Sequence, residues 1–308
     1  MRLVFAGTPA VAADTLLQLL DHSGHEVVAV VTRPDAPQGR SKRPVPSAVA
    51  ELATERGLEV LKPVRPSEPG FVARLAELAP HACPVIAYGA LVPQPVLELP
   101  RFGWLNVHYS LLPRWRGAAP VQRALLAGDQ VTGVSVFQLV PALDAGPVFA
   151  AEEVPVEPGE TAGELLGRLT PVGARLLTRV LDDLEAGRAQ AAEQPADGIT
   201  VAPKFTVEQA RLDWSLAALE LERLVRACNP SPMAWTTDGD ERFRVLRAEA
   251  VEDGRGLAPG EVAPGRREVL VGTGRGALAL LEVQPQGKRP MPATAWANGL
   301  HGRQVTFS

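Results

Sequence analysis

The chain has 308 residues, 46% of them hydrophobic and 21% charged, with 31 basic against 35 acidic residues for a net charge of −4. That supply of apolar material supports roughly two domains, at about 150 residues each, and excludes wholesale disorder. The acidic balance excludes a surface that attracts phosphate everywhere, so any nucleic-acid contact must come from a local patch.

Cys83 and Cys228 cannot build a disulfide framework, and no apolar run reaches the length of a membrane span. The opening Met1-Arg2-Leu3-Val4-Phe5-Ala6 lacks the apolar stretch of a secretory leader. A cytoplasmic location is the simplest expectation.

Leu3 to Ala6 reads as a short buried strand running into Gly7-Thr8-Pro9. Thr8 is placed to cap a helix and Pro9 to begin it, with the helix reaching about Leu20. Ser23-Gly24 breaks the pattern, and Glu26 to Thr32 is a second strand. A polar loop runs from Arg33 to Pro46. Its Pro34, Pro37, Gly39, Pro44 and Pro46 oppose helix and strand alike. Ser47 then caps a helix that ends near Gly57. Leu58 to Leu61, Pro84 to Tyr88, Trp104 to His108 and Gly133 to Val140 are further strands, with helical stretches between most of them. Apolar runs separated by helices predict a mostly parallel sheet covered on both faces, a doubly wound α/β domain.

Thr161 to Gly187 carries leucines and valines at helical spacing, which Pro171 should kink or split. The Ala-, Gln- and Gly-rich stretch Arg188 to Pro203 reads as a linker. Beyond it the pattern changes. An amphipathic helix over Leu216 to Ala227 precedes short strands at Ala234–Thr237, Phe243–Ala248, Glu268–Val271 and Ala277–Val283, separated by Gly-rich turns as in a small barrel. The expected organisation is a catalytic domain over 1–189, a linker over 190–204 and a second domain over 205–308.

Gly7-Thr8-Pro9 stands where a dinucleotide fingerprint would lie, but Pro9 and Ala12 break the glycine spacing, and a tight strand-to-helix turn is the better reading. His22 and His25 flank a turn with no cysteine nearby. They are expected at the surface, and no metal is expected.

The informative stretch is Gly103 to Gly117. Asn106 and His108 lie two apart on a predicted strand and so share one face. Polar groups at the end of a buried strand are costly unless paired or used, and open α/β sheets bind ligands at such ends. A donor amide beside an imidazole can stabilise a developing oxyanion and manage a proton; a satisfied pair that tethers the next loop is the plain alternative. Ser110 lacks the strained elbow of a serine hydrolase. Asp144, in Leu143-Asp144-Ala145-Gly146, is by itself a turn aspartate; with Asn106 and His108 it completes a donor, an acid and a base at one sheet edge.

The run Asn106-Val107-His108-Tyr109-Ser110-Leu111-Leu112-Pro113-Arg114-Trp115-Arg116-Gly117, followed by Leu143-Asp144-Ala145-Gly146, closely resembles the methionyl-tRNA formyltransferases, a branch of the folate-dependent formyltransferases. The likeness covers nearly the whole chain. Phe5-Ala6-Gly7-Thr8-Pro9, the basic loop from Arg33-Pro34-Asp35 to Pro46-Ser47, Ala210-Arg211-Leu212-Asp213-Trp214, Asn229-Pro230 and Gln284-Pro285-Gln286-Gly287-Lys288 resemble further segments. Tyr109, Cys83-Pro84 and Ser231 depart from the family pattern.

The resemblance implies a Rossmann-like N-terminal domain and an OB-like barrel that binds tRNA. It implies formyl transfer from 10-formyltetrahydrofolate to the amino group of methionine on initiator tRNA, with Asn106, His108 and Asp144 catalytic. Asn106 and His108 would stabilise the formyl oxygen, and Asp144 would orient His108 or a water and help remove the amine proton. Ser110, Leu111, Leu112 and Pro113 would form part of the tetrahydrofolate site. Arg33, Arg40, Lys42 and Arg43, which give the loop a local charge of +3 with Asp35, would meet tRNA. A monomer without metal or membrane attachment is expected. Two rivals are weighed against this: a formyltransferase for a small sugar or nucleotide amine, which the C-terminal domain and basic loop oppose, and a non-catalytic OB-fold nucleic-acid binder, which leaves the three polar residues unexplained.

Overall fold

The computed structural model describes residues 1–37 and 43–308, so Arg40 and Lys42 lie outside the described residues. In chain order the elements begin with β1 (Arg2–Gly7), α1 (Ala10–His22), β2 (Glu26–Val31), β3 (Ala36–Pro37), β4 (Pro44–Val45), α2 (Ala48–Glu55), β5 (Glu59–Leu61) and α3 (Pro69–Leu78). There follow β6 (Cys83–Ile86), α4 (Gln94–Leu97), β7 (Trp104–His108), α5 (Pro120–Ala127), β8 (Val131–Gln138), β9 (Val148–Pro155) and α6 (Ala162–Glu185). The remainder holds α7 (Ala218–Cys228), β10 (Ala234–Asp238), β11 (Glu241–Val251), β12 (Val262–Pro264), β13 (Val269–Gly272), β14 (Ala277–Pro285), β15 (Met291–Pro292) and α8 (Ala293–Asn298).

The chain forms two compact units. One comprises Met1–Gly117, Val131–Pro155 and Gly167–Val201; the other comprises Ala118–Gln130, Val156–Leu166 and Ala202–Ser308. Two pieces that the sequence reading gives to the first domain, 118–130 and 156–166, thus fall in the second unit. The reason in the first case is packing: α5 buries Val121, Ala124 and Leu125 and lies against α7.

The first unit holds a seven-stranded sheet in the order β5-β2-β1-β6-β7-β8-β9. Pairing is parallel from β5 to β7 and antiparallel from β7 to β9. Runs such as Leu3–Ala6 and Ala29–Val31 are wholly buried, as strands covered on both faces must be. The sequence pattern misses β9, an edge strand whose Glu153 is exposed and whose alternation is weak.

The turn after β1 needs glycine, because a Cβ on Gly7 would lie 2.6 Å from the Ala12 side chain and 3.0 Å from the Ile86 carbonyl. Thr8 does not cap α1. Pro9 takes the cap position, and the Thr8 hydroxyl donates instead to the Tyr88 carbonyl at 2.9 Å, tying this turn to the loop after β6. Ser47 does cap α2, accepting from Ala50 N at 3.1 Å.

Three further expectations are corrected. The flanks of the basic loop pair as the short antiparallel ladder β3–β4, with Pro37 opposite Pro44, a place where proline's extended φ fits and two residues need few donors. His25 is buried rather than at the surface, facing Asp182 at 3.1 Å and Glu185 at 3.6 Å, and burial holds its imidazole below the usual pKa. Pro171 does not split α6, which runs as one helix from Ala162 to Glu185; buried Leu169, Leu176 and Leu177 hold it through the lost hydrogen bond.

In the second unit an antiparallel sheet runs β10-β11-β14-β13-β12, with β15 on β14. Residues 305–308 join its two edges. Val262 N donates to Val305 O at 3.1 Å, Phe307 N to Gly260 O at 2.8 Å and Thr237 N to Ser308 O at 3.2 Å, so the sheet closes into a small barrel. Phe307 stacks inside against Trp214, Phe243 and Trp296, with ring centroids 5.7, 4.8 and 5.8 Å away. Among the described residues no helix is long and apolar enough to cross a membrane.

Candidate active site

β7 places Asn106 and His108 on one face and Val107 on the other. Tyr109 follows Val107: both approach Gly173 of α6, where an added Cβ would stand 2.8 Å from Val107 and 3.5 Å from the Tyr109 ring. The Tyr109 phenol, buried near Thr15 and Thr170, is pushed up to about 12 by desolvation. Its bulk therefore points away from the Asn106 and His108 face.

His108 is 5% exposed. Its Nε2 lies 2.8 Å from the carbonyl of Trp115, which can only accept, so Nε2 carries a proton and Nδ1 is the remaining nitrogen. Nδ1 faces the Asp144 carboxylate at 3.9 Å. Burial lowers the His108 pKa, against the opposing pull of Asp144 and of the Trp115 carbonyl, so the ring is neutral near pH 7 with its Nδ1 lone pair presented. Phe137 meets the ring edge-on at 6.2 Å and helps fix its plane. The half-buried Asn106 side chain makes no hydrogen bond among the described residues, which leaves its amide for a ligand.

Asp144 holds a left-handed backbone, φ 47°, and its Oδ2 accepts from Gly117 N at 2.7 Å. Gly146 is required two residues on, because a Cβ there would lie 1.8 Å from the Gln138 carbonyl. Gln194 clamps this turn. Its amide nitrogen donates to the carbonyls of Asp144 and Gly146, each at 2.8 Å, and its amide oxygen accepts from Arg116 Nε at 3.0 Å and Nη2 at 2.6 Å. Thr200 accepts from Trp115 N through its hydroxyl at 2.8 Å and from Arg116 N through its carbonyl at 2.9 Å. The stretch read as a linker is thus built into the site. Gln194, one of two glutamines in an alanine-rich stretch, carries no periodic signal by which to find it.

Ser110 has no exposed surface. Its hydroxyl donates to the Arg114 carbonyl at 2.6 Å, and its own carbonyl accepts from Ser135, whose hydroxyl oxygen accepts in turn from Leu112 N. Leu111 packs on Gly133, and Leu111, Leu112 and Pro113 remain half-buried. Ser110 therefore stiffens the loop from beneath, while the next three residues supply its surface. A hollow of about 260 Å³ lies in the same unit, lined by Gln94, Leu97, Gln138, Leu139 and Val140 among others. Arg33 donates to the Val64 carbonyl at 2.9 Å. Among the described residues no three His, Cys, Asp or Glu side chains are grouped to hold a metal ion.

A neutral imidazole, an amide with no hydrogen bond among the described residues and a pinned carboxylate gather at β7 and the turn that faces it, groups able to donate to an oxygen and to accept a proton. The sequence profile of the family "Formyl transferase" matches residues 1–181, and that of "Formyl transferase, C-terminal domain" matches residues 204–301. The chain belongs to the formyl transferase family. It is 54% identical to the methionyl-tRNA formyltransferase of Streptomyces coelicolor, over 97% of this chain and 96% of the relative. It is 55% identical to that of a Parafrankia species, over 97% of each. Among solved structures it is similar in fold to WlaRD, a sugar 3N-formyl transferase, with a TM-score of 0.69, 12% identity and coverage of 94% of this chain and 99% of that one.

Proposed function

We propose that this enzyme transfers the formyl group of 10-formyltetrahydrofolate to the amino group of methionine on initiator methionyl-tRNA, giving N-formylmethionyl-tRNA for translation initiation. The observation that carries the reading is the identity above half, over nearly the full length, to proteins named methionyl-tRNA formyltransferase. The polar groups around β7 supply the chemistry. On this reading the enzyme works as a monomer in the cytoplasm.

Asn106 donates its amide N–H to the formyl oxygen as negative charge grows there during attack by the amine, an effect worth about 3 kcal/mol for one well-placed donor. His108 accepts the amine proton at Nδ1, while its Nε2–H stays on the Trp115 carbonyl; it then returns that proton to the folate nitrogen as the bond from this nitrogen to the formyl carbon breaks, so that tetrahydrofolate leaves neutral and His108 is restored. Asp144 steadies the resulting imidazolium and is itself held by Gly117 N and by Gln194 through the backbone. No activated serine or cysteine is needed.

The folate donor has a flat heteroaromatic ring with polar edges. The hollow beside β8 suits such a ring, offering the Gln138 amide, Arg101 and the pair in which the Gln94 amide donates to Glu98, with apolar Leu97, Leu139 and Val140. The stiff loop Ser110–Pro113 would form another wall. That WlaRD was crystallised in the presence of 5-N-formyl-THF supports the same class of donor. Arg33, Arg40, Lys42 and Arg43 would meet the tRNA from the basic loop, and residues 205–308 would hold it. The test is incubation with labelled 10-formyltetrahydrofolate and methionyl-tRNA. Labelled formyl-methionine is expected; product from a sugar amine and none from methionyl-tRNA would overturn the reading.

A further inference from the structure

Between residues 190 and 201 every residue is exposed except Gln194 and Thr200, which are half-buried. Neither buries much apolar surface, so the segment is held by what these two bond. Gln194 bonds the Asp144 turn. Thr200 bonds a different piece, the loop between β7 and α5.

Within that loop Trp115 holds a left-handed backbone, φ 62°, a conformation that crowds any residue with a Cβ. Both of its peptide groups are engaged. Its N–H donates to the Thr200 hydroxyl at 2.8 Å, and its carbonyl accepts from His108 Nε2 at 2.8 Å. The neighbouring groups are fixed as well. The Arg114 carbonyl accepts from Ser110, Arg116 N donates to the Thr200 carbonyl at 2.9 Å, and Gly117 N donates to Asp144.

The charged group that faces the His108 ring is Asp144, 3.9 Å from Nδ1. Two arginines belong to the loop and not to the ring: Arg116 bonds Gln194, and the Arg114 guanidinium lies 4.5 Å from the centre of the Trp115 ring. A neutral imidazole in this setting has two tautomers. With its proton on Nε2 it donates to Trp115 and leaves Nδ1 bare; with its proton on Nδ1 it donates toward the carboxylate and sets a bare Nε2 against a carbonyl. Only the first can accept a proton at Nδ1. The carboxylate by itself favours the second, so the choice hangs on the Trp115 carbonyl.

We infer that Thr200 is a positioning residue for His108: its hydroxyl and carbonyl clasp the two peptides that flank Trp115, hold the Trp115 carbonyl on Nε2 and so keep the proton off Nδ1. Arg116 N–H and the Trp115 carbonyl point in opposite directions from one planar trans peptide, so fixing the first aims the second. The hydroxyl fixes the preceding peptide and keeps the left-handed turn closed. Thr200 acts through Trp115 alone and bonds neither His108 nor Asp144. The inference rests on His108 being the base and adds what selects its basic form.

The test reads the ring proton directly, beside steady-state kinetics. Ring-nitrogen NMR of the whole protein near neutral pH, with His108 assigned by its absence in His108→Gln, reports which nitrogen carries the proton. Wild type should show Nε2–H and a bare Nδ1. Thr200→Val keeps the shape and removes the acceptor. A measurable share of the ring should then pass to the Nδ1–H form, and kcat should fall about tenfold with both KM values unchanged. The Trp115 carbonyl also favours the charged ring, so the acid limb of kcat/KM should move to lower pH in this variant. Thr200→Ser keeps the hydroxyl and should restore spectrum, turnover and pH profile; if valine prevents folding, the smaller Thr200→Ala carries the same expectation. A wild-type ring with its proton on Nδ1 would overturn the assignment. So would a Thr200→Val ring spectrum identical to wild type, whatever the turnover, since a merely structural hydroxyl would leave the ring proton where it was. If wild type fails to formylate methionyl-tRNA, the functional reading fails, while the spectra still decide whether Thr200 sets the His108 tautomer.

Discussion

The two polar constellations of this protein are built on opposite rules. Around β7, nearly every polar group is consumed by another: Asp144 by Gly117, Gln194 by Arg116 and two carbonyls, His108 Nε2 by Trp115. What remains available is small, the Asn106 amide and one ring nitrogen. On the β10–β11 face the reverse holds: among the described residues Arg211, Arg242 and Arg244 make no ion pair, with Asp213 and Glu208 only in electrostatic reach of Arg211 and Arg242. Chemistry on a single carbonyl demands groups preorganised to a fraction of an ångström, whereas holding a long polyanion demands charge that is available and loosely aimed. A fully satisfied network suits the first, and guanidiniums that make no ion pair, two of them against the Trp235 ring, suit the second.

The contrast can be broken at its strongest point. Asn106→Ala, His108→Ala and Asp144→Ala should each cut kcat by roughly a hundredfold or more, with the melting temperature close to wild type. Stopped-assay turnover alongside thermal unfolding checks this, and equal loss of fold and turnover would return these residues to a purely structural role. Asp144→Asn is a cleaner chemical probe, since asparagine tolerates the left-handed backbone that alanine resists. Gln194→Leu should lower kcat on the order of tenfold with little change in either KM, because the Asp144 turn loses its clamp while the reacting groups survive.

Protonation sharpens the same comparison. His108 has its pKa lowered from 6.5 by burial, so its neutral, proton-accepting form persists to below that pH. The kcat/KM profile should therefore stay level through pH 7 and fall on the acid side, with a midpoint under 6.5 that disappears in His108→Gln. A loss of rate on the alkaline side, tracking the same residue, would instead make His108 an acid. Stability probes give smaller effects. Gly173→Ala should cost about 1 to 3 kcal/mol by overpacking against Val107, read as a fall in Tm. Thr161→Ala should cost about 1 kcal/mol by removing the cap reciprocated by Glu164 at the start of α6.

Much of the first unit was legible in the sequence because its strands are short, apolar and bounded by Gly or Pro. β7 runs from Trp104 to His108 as the pattern predicts, and the two-residue spacing of Asn106 and His108 fixes their common face. What was not legible is what depends on partners distant in sequence. The clamp formed by Gln194 and Thr200 joins residues about 50 and 85 positions away from Asp144 and Trp115. The arginine face arises only from β10–β11 register and from the approach of Arg211, while a count of charges over the region cancels to nothing. Thr8 shows a third kind of miss: its residue type suits a cap, but a carbonyl from the loop after β6 takes the hydroxyl.

The division of the chain into units has a consequence for how it is made. α5 belongs with α7, yet α7 begins at Ala218, some ninety residues after α5 ends at Ala127. At a synthesis rate of about 5–20 residues per second, α5 leaves the ribosome roughly 5 to 20 seconds before its partner exists. Throughout that interval Val121, Ala124 and Leu125 lack α7, and the nascent chain carries an apolar helix face that a holding chaperone is suited to cover. Slowing translation between residues 128 and 217 with rare codons should lower the soluble yield, while the same delay placed after residue 228 should leave it unchanged.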